Sequence, residues 1–441
     1  MSSTTSEPSL TTSTILRFWI PLCATWLMMA VESPILTSVI ARLDVPMYNL
    51  AAYGVAVALA MFIEAPVIML LSTSVALAKD RLAVEALRAF TRRINIIVTV
   101  GMIVVCIPPV YDLIVHQVIR IPDEVSRLMY RGLVCMIPWP AAIGYRRFYQ
   151  GLLIRNGFTR RVAYGTVVRL FTMAFSASVL VLFSPFDGVV IGTVSLTSGV
   201  ILEAWATRWM ARSTLRALRR QDPAACAPPP TTRDILRFYM PLALTSIVGF
   251  VVTPMLAFFM GRARLPVESL AVLPVVDSFV FLFRSFGFSY QEVGIALLGE
   301  GNRHYTAIRK VGVMIIVGTT VALGLVAFTP LSEVIYAGVY GLKPELADFA
   351  VEPTMILILL PMLSVLYSLQ RAVLITARRN VAVTWSTITE VSCIAATMIL
   401  TLWLFDLPGA MAAALAMVVG RVIANIYLRR EVSKALKMTP R

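Results

Sequence analysis

Twelve stretches of this sequence are apolar for about 20 residues each, beginning near Ile15, Leu50, Ile94, Val125, Val162, Val189, Ile235, Leu270, Val311, Leu346, Val381 and Gly409. At 1.5 Å rise per residue, a helix of that length crosses the hydrocarbon of a bilayer. A chain that is 58% hydrophobic and 14% charged, with mean hydropathy +0.81, has more apolar surface than a water-exposed fold can bury. The bilayer must therefore be its main solvent. The expected fold class is an all-α polytopic membrane protein with twelve transmembrane helices.

Residues 1–14 are polar and carry only Glu7 as a charge, without a basic start, a short apolar core and a cleavage site. They read as a disordered cytoplasmic N-terminus and not as a signal peptide. Between the sixth and seventh apolar runs lies "RSTLRALRRQDPAACAPPPTTR", a basic, Pro-rich stretch that divides the chain. The expected organisation is an N-terminal six-helix lobe over 15–212, a cytoplasmic linker over 213–232, a C-terminal six-helix lobe over 233–432 and a cytoplasmic tail over 433–441. The five cysteines (Cys23, Cys106, Cys135, Cys226 and Cys393) lack metal-ligand spacing and read as reduced, structural thiols.

Basic residues fix the expected orientation. Lys79, Arg81, Arg88, Arg92 and Arg93, then Arg155, Arg160 and Arg161, the linker arginines, Arg303, Arg309 and Lys310, Arg378 and Arg379, and the C-terminal cluster from Arg429 all fall on loops that share one side with the N-terminus. The opposite loops mix few cations with Asp44, Asp123, Glu124, Asp187, Glu268, Glu345 and Asp406. By the positive-inside rule both termini are cytoplasmic, in the plasma (inner) membrane. The net charge of +15 is scattered over separate cytoplasmic loops, so its expected partner is membrane lipid and not nucleic acid.

The two halves read as a repeat through at least their first, second, fourth and fifth helices. "ILRFWIPL" (Ile15 to Leu22) returns as "ILRFYMPL" (Ile235 to Leu242), an offset of 220 that also takes Pro34 to Pro254 and Pro46 to Pro266. An offset of 221 takes Pro140 to Pro361 and "GLLI" onto "AVLI". An even number of helices per half gives both halves the same orientation, a parallel repeat about an axis along the membrane normal. Parallel lobes of this kind place a substrate cavity between them and rock to expose it on either side. Pro34 and Pro254, within the first helix of each lobe, are candidate hinges, because a proline frees a backbone carbonyl and bends the helix. The bland alternative is that neighbouring helices merely satisfy the freed groups.

Two lobes of six helices, a basic linker and Pro-bent first helices resemble the multidrug and toxin extrusion (MATE) transporters and their flippase relatives, the MOP superfamily. Within it, "LAAYGVAVALAMF" with its "AKDR" exit and "FYQGLLIRNGFTRRVAYGTVVRL" are similar to the progressive ankylosis protein branch. The MATE resemblance implies export of organic cations coupled to proton or sodium gradients through an acidic residue inside a lobe. The ankylosis-like resemblance implies outward movement of anions such as pyrophosphate, ATP and citrate. Lipid-linked-precursor flippases usually have thirteen or fourteen helices, against the twelve expected here.

Ionisable groups inside the membrane are costly and mark cavities or partners. Glu32 precedes Pro34 in the first helix, and Glu64 lies near the middle of the second. An offset of 220 takes Glu64 onto Arg284, so the two either meet across the cleft, as a gate or with Arg284 as a site for a substrate carboxylate or phosphate, or pair within their own lobes. Asp277, Phe281, Arg284, Phe288 and Gln291 recur at helical spacing on one face of the eighth helix, with Glu292 beside it. An Asp277–Arg284 link is the local alternative. Arg146, Arg147 and Arg169 are expected at similar depth on the fourth and fifth helices, as an anion site or as side chains snorkelling to the leaflet. In the second lobe Arg169 maps onto Glu390, and Arg371 is expected to pair with that carboxylate.

Arg146, Arg147, Arg169, Arg284 and Arg371 outnumber Glu32, Glu64, Asp277 and Glu390, which favours an anionic cargo. Glu32 and Glu64 stay available as proton or sodium sites, H+ or Na+ being the coupling ion and no other cofactor being expected. No phosphate-binding loop of the Gly-x-x-x-x-Gly-Lys-Ser/Thr type occurs, and the two histidines, His116 and His304, have no evident catalytic partners, so neither an ATP-driven pump nor an enzyme is indicated. The expectation is a monomeric secondary transporter of a small-molecule substrate. A channel or scaffold would not need paired mid-membrane charges in duplicated, bent lobes.

Overall fold

Proline and left-handed residues punctuate the helices at repeat-related positions in this computed structural model, which describes residues 10–183, 185–222, 228–298, 303–377 and 379–437. Helix α1 is broken into Thr12–Ala30 and Glu32–Ala41. Pro34 has no N–H to offer the carbonyl four residues back, and the break at Val31 falls inside that interval. The first helix of the second lobe, α7 (Thr232–Phe250 and Val252–Met260), breaks at Val251 for the same reason at Pro254. The N-terminal lobe continues through α2 (Pro46–Ile68 and Leu70–Leu77), α3 (Arg81–Val105), α4 (Asp123–Cys135 and Trp139–Arg155), α5 (Thr159–Phe183) and α6 (Gly188–Met210). The C-terminal lobe continues through α8 (Pro266–Leu297), α9 (Tyr305–Ala327), α10 (Pro344–Leu357 and Leu359–Thr376), α11 (Asn380–Leu404) and α12 (Gly409–Lys437).

Among the described residues there are no strands, only an isolated bridge between Arg264 and Pro408. Ten helices are long and apolar enough to span a bilayer, and α3 with the segment after it makes an eleventh. Helix α4 completes the twelve; its break divides it into pieces of 13 and 17 residues, each too short to count as a span alone. Capping fixes the starts: Thr11 accepts from the Thr14 N–H, Asp80 from the Ala83 N–H, and Thr231 and Asp234 form a capping box.

Several boundaries differ from those read from hydropathy. Helix α3 starts at Arg81, well before Ile94, because its first turns are amphipathic, burying Val84, Leu87 and Phe90 while Arg92 and Arg93 face out. The linker begins as a helix, Arg212–Arg219, and α12 runs on to Lys437, past the expected end of the lobe at 432. Helix α1 begins at Thr12; the rest of the expected disordered N-terminus, residues 1–9, lies outside the described residues.

Repeat-related residues share unusual backbone. Val45 (φ 47°) and Leu265 (φ 53°) stand left-handed immediately before Pro46 and Pro266. Arg120 (φ 62°) and Gly341 (φ 75°) do so at the ends of short helical segments that follow α3 and α9. Those segments are Pro108–Asp112 with Leu113–Ile119, bent 77° from α3, and Leu331–Glu333 with Val334–Val339. They lie on the face remote from the termini, where α1 and α7 end.

The echo between "ILRFWIPL" and "ILRFYMPL" has a packing explanation. The first half of α1 docks on the opposite lobe, with Ile15 buried beside Tyr290 and Val293 and the Trp19 Nε1–H donating to Ser289 Oγ at 2.8 Å. The first half of α7 does the reverse: Tyr239, the equivalent of Trp19, donates its hydroxyl to the Pro66 carbonyl at 2.7 Å and packs edge-on against Phe90 at 5.2 Å. Beyond the breaks, the second half of α1 turns to α2, α5 and α6 of its own lobe, and the second half of α7 lies between α2 of the opposite lobe and α11 and α12 of its own.

Candidate transport pathway and its buried charges

Burying a guanidinium in a helical membrane protein demands an acid within reach, and the N-terminal lobe supplies three of each. Arg146 on α4 is buried and pairs with Glu203 on α6. Arg169 on α5 pairs with Glu32 on α1 and lies 3.5 Å from Glu203. Gln150, one turn beyond Arg146, donates to the other Glu203 oxygen at 3.2 Å. Glu64 is buried on α2 within the electrostatic field of Arg146, Arg147 and Arg169, and its Oε2 has no hydrogen-bond partner. Arg147 likewise has no ion-pair partner among the described residues, so Glu64 and Arg147 are the unmatched members of a balanced set.

The structure brings Arg146, Arg147 and Arg169 together around Glu203, which touches two of them and has the third in its field. They do not form an open three-arginine anion site, because Glu203 and Glu32 already occupy two of them. Glu203 was absent from the sequence candidates. It is the one acid in the apolar α6, and the rule that a lone intramembrane charge has a partner would have found it.

The C-terminal lobe carries a related pair with the signs exchanged. Glu390 on α11 pairs with Arg421 on α12 at 2.8 Å, where the first lobe has Arg169 on α5 and Glu203 on α6. The expected Arg371–Glu390 pair is therefore not the one formed. Arg421 reaches Glu390 across the α11–α12 contact, while Arg371 lies over the Tyr367 ring at 5.3 Å, without a carboxylate partner among the described residues. Arg421 shares that ring from 4.5 Å.

Arg284 pairs with Asp277, two turns back on α8, at 3.2 Å, and not with Glu64, so the local alternative is the one observed. Its guanidinium also lies over Phe288 at 5.5 Å and Phe281 at 5.9 Å. The whole stripe of Asp277, Phe281, Arg284, Phe288 and Gln291 is partly open, whereas Val275, Val276, Phe279 and Tyr290 on other faces of α8 are buried. Across from it stands α1: Trp26 packs on Phe288 at 5.5 Å and donates to Glu292 at 3.2 Å. Arg284 is in the electrostatic field of Arg421 and Glu390. The stripe thus forms a charged, aromatic wall where α1 of one lobe meets α8 of the other, with Arg421 of α12 nearby.

Pro34 and Pro254 sit beside the breaks at Val31 and Val251, beyond which each first helix gains contacts with its own lobe. No group of histidine, cysteine and acidic side chains suited to a metal occurs among the described residues.

No protein-family model matches the sequence, and no curated protein does. Solved structures do. A multidrug resistance MATE family transporter of the MOP superfamily in an inward-facing conformation superposes with a TM-score of 0.76 at 14% identity, over 98% of this chain and 100% of that one. The fold is the MATE fold. The lipid II flippase MurJ in an inward closed conformation matches with a TM-score of 0.73 at 15% identity, over 94% of this chain and 89% of that one. A third neighbour is a MOP superfamily transporter from Pyrococcus furiosus, described as having a binding pocket of reversed polarity that suggests a different function; it matches at TM-score 0.66 and 13% identity, with 96% of each chain covered. An all-helical chain of twelve helices in two lobes is consistent with these matches.

Proposed function

We propose that this protein is an alternating-access secondary transporter that exports small organic or phosphate-bearing anions through the space between its lobes, as in the ankylosis-like branch. The observation that carries the anionic reading is Arg371. Among the described residues it stands partly exposed without a carboxylate partner, in a lobe where Arg284 pairs with Asp277 and Arg421 with Glu390. Guanidinium groups flanked by Tyr367, Phe281 and Phe288 suit a ligand that has carboxylate or phosphate oxygens and an apolar or planar body. The pairs Arg284–Asp277 and Arg421–Glu390 then serve as a reserve of cations that an incoming anion releases.

In the first lobe, Glu64 with its unpartnered oxygen is the candidate for the H+ or Na+ that drives the cycle. Protonation or sodium binding there changes the balance among Arg146, Arg147 and Arg169, and Glu32 transmits it to α1 next to the break. Pro34 and Pro254 act as the hinges. The expected setting is the plasma (inner) membrane with both termini cytoplasmic and a single chain supplying both lobes, in contact with membrane lipids.

The test is flux in proteoliposomes, comparing labelled citrate, pyrophosphate and ATP with a cationic dye, with and without imposed proton and sodium gradients. Anion flux lost in Arg371→Gln and uncoupled from the gradient in Glu64→Gln supports the proposal. Dye flux that depends on Glu64 and ignores Arg371 returns the protein to the second reading, a proton- or sodium-coupled cation exporter.

A further inference from the structure

Two arginines outside the charge clusters bind the lobes to one another at the face remote from the termini, and they are related by the repeat. Arg42 follows the last turn of α1 and donates across the lobe boundary to the carbonyls of Gly338 (2.8 Å), Val339 and Tyr340 (3.2 Å). Arg262, its equivalent at an offset of 220, follows the last turn of α7 and donates to Ile119 (2.9 Å) and Val118 in the other lobe. Each also holds a carbonyl of its own helix, Ser38 for Arg42 at 2.7 Å and Phe258 for Arg262 at 3.0 Å. Each guanidinium thus joins two helix C-termini, one from each lobe.

The physical reason lies in the ends of the segments that are gripped. A helix leaves its last carbonyls without intrahelical donors and carries partial negative charge there. The left-handed Arg120 and Gly341 end the two segments, letting the Ile121 N–H reach the Val115 carbonyl and the Leu342 N–H reach the Tyr336 carbonyl, and the later carbonyls turn outward. A five-donor guanidinium is the side chain that satisfies several of them at once. The packing is tailored to it: a Cβ at Gly341 would lie 2.8 Å from Arg42 Cγ, and one at Gly261 would lie 2.8 Å from the Ile119 carbonyl.

We infer that Arg42 and Arg262 are paired gate residues, positioning residues that hold this face closed and must release those carbonyls each time it opens. The inference rests on the alternating-access reading above. The inter-lobe contacts of Trp19 and Tyr239 differ in kind, because they lie before the breaks at Val31 and Val251 and can travel with the lobe they are docked on. Arg42 and Arg262 lie beyond the breaks, so rocking separates them from their acceptors. Both are solvent-exposed and neither uses a carboxylate, so the grip is reversible, and neither touches the wall at Arg284 and Arg371.

The experiment measures inter-lobe distances by electron spin resonance on the full-length chain in a cysteine-free background. One label pair sits on the gated face at Glu124→Cys and Glu345→Cys; another sits on the terminal face at Asn156→Cys and Ala377→Cys. These are repeat-related, exposed positions. Arg42→Gln and Arg262→Gln are each expected to raise the long-to-short population ratio of the first pair about tenfold, and together about a hundredfold, because independent contributions add as free energies. Arg→Lys at either position is expected to recover part of the shift, since lysine keeps the charge but loses the fork. An unchanged first pair in folded variants, while the terminal pair still shows two distances across pH or sodium conditions, overturns the gate and leaves alternating access standing. A single fixed distance for both pairs under every condition overturns both.

Discussion

Glu203→Gln tests whether the N-terminal cluster is held together by charge or merely packed. The change keeps the shape and one carbonyl-type acceptor for Gln150, but leaves Arg146, Arg147 and Arg169 facing only Glu32 and Glu64. Glu203 is 1% exposed and Arg146 is 4% exposed, so water cannot replace the lost charge. Breaking one side of a buried pair typically costs about 3–5 kcal/mol. Because Arg169 keeps Glu32 and the amide still accepts one hydrogen bond, the expected loss is at the lower end, ~3 kcal/mol. Unfolding free energy from detergent titration in mixed micelles reads it directly. Arg146→Met alone is expected to be similarly damaging, and the double variant should be better than the sum of the two by about 1–3 kcal/mol, the signature of a shared interaction. A Glu203→Gln protein within ~0.5 kcal/mol of wild type, or strict additivity in the double variant, would refute the buried-pair reasoning.

Other expectations follow from the same geometry. Gly144→Ala on α4 places a Cβ 1.8 Å from Asn95 Oδ1 on α3, so the buried Asn95 amide must turn from its bond to the Ala141 carbonyl or the helices must part, and stability measured in the same titration should fall by about 1–3 kcal/mol. Gly54→Leu drives a side chain into Pro274 of the opposite lobe, where even a Cβ would lie 2.4 Å from Cγ; the spin-label pair on the gated face should shift toward the open distance without loss of the fold. Glu390→Gln should destabilise by about 1.5–3 kcal/mol through loss of a charged hydrogen bond from Arg421, whereas Arg371→Gln should cost little stability and much anion flux. A fall in melting temperature in Arg371→Gln as large as in Glu390→Gln would show that Arg371 is structural.

Much of the candidate site was legible because membrane charges are conspicuous. Glu32, Glu64, Arg146, Arg147 and Arg169 all fall in one cluster, and Asp277, Phe281, Arg284 and Phe288 line one face of α8. Partner choice was not legible. Glu203 and Arg421 each lie alone in an apolar run, and which acid meets which arginine depends on helix rotation and neighbour order. Hydropathy carries no information about either. The gate arginines escaped for another reason: Arg42 and Arg262 sit in loops that read as ordinary short connections, and their acceptors are backbone carbonyls, which have no sequence signature.

By itself the sequence determined the apolar spans, the duplication and the breaks beside Pro34 and Pro254. Chain length per bilayer thickness, the repeat of 220 residues and the missing N–H of each proline are local facts that no packing can alter. The tertiary structure alone decided which lobe each half of α1 and α7 rests on, that Glu390 turns to Arg421 and leaves Arg371 unpaired, and that arginines at the ends of the first helices grip the opposite lobe. Those outcomes depend on contacts between residues 31 to 298 positions apart, formed only once twelve helices share one core.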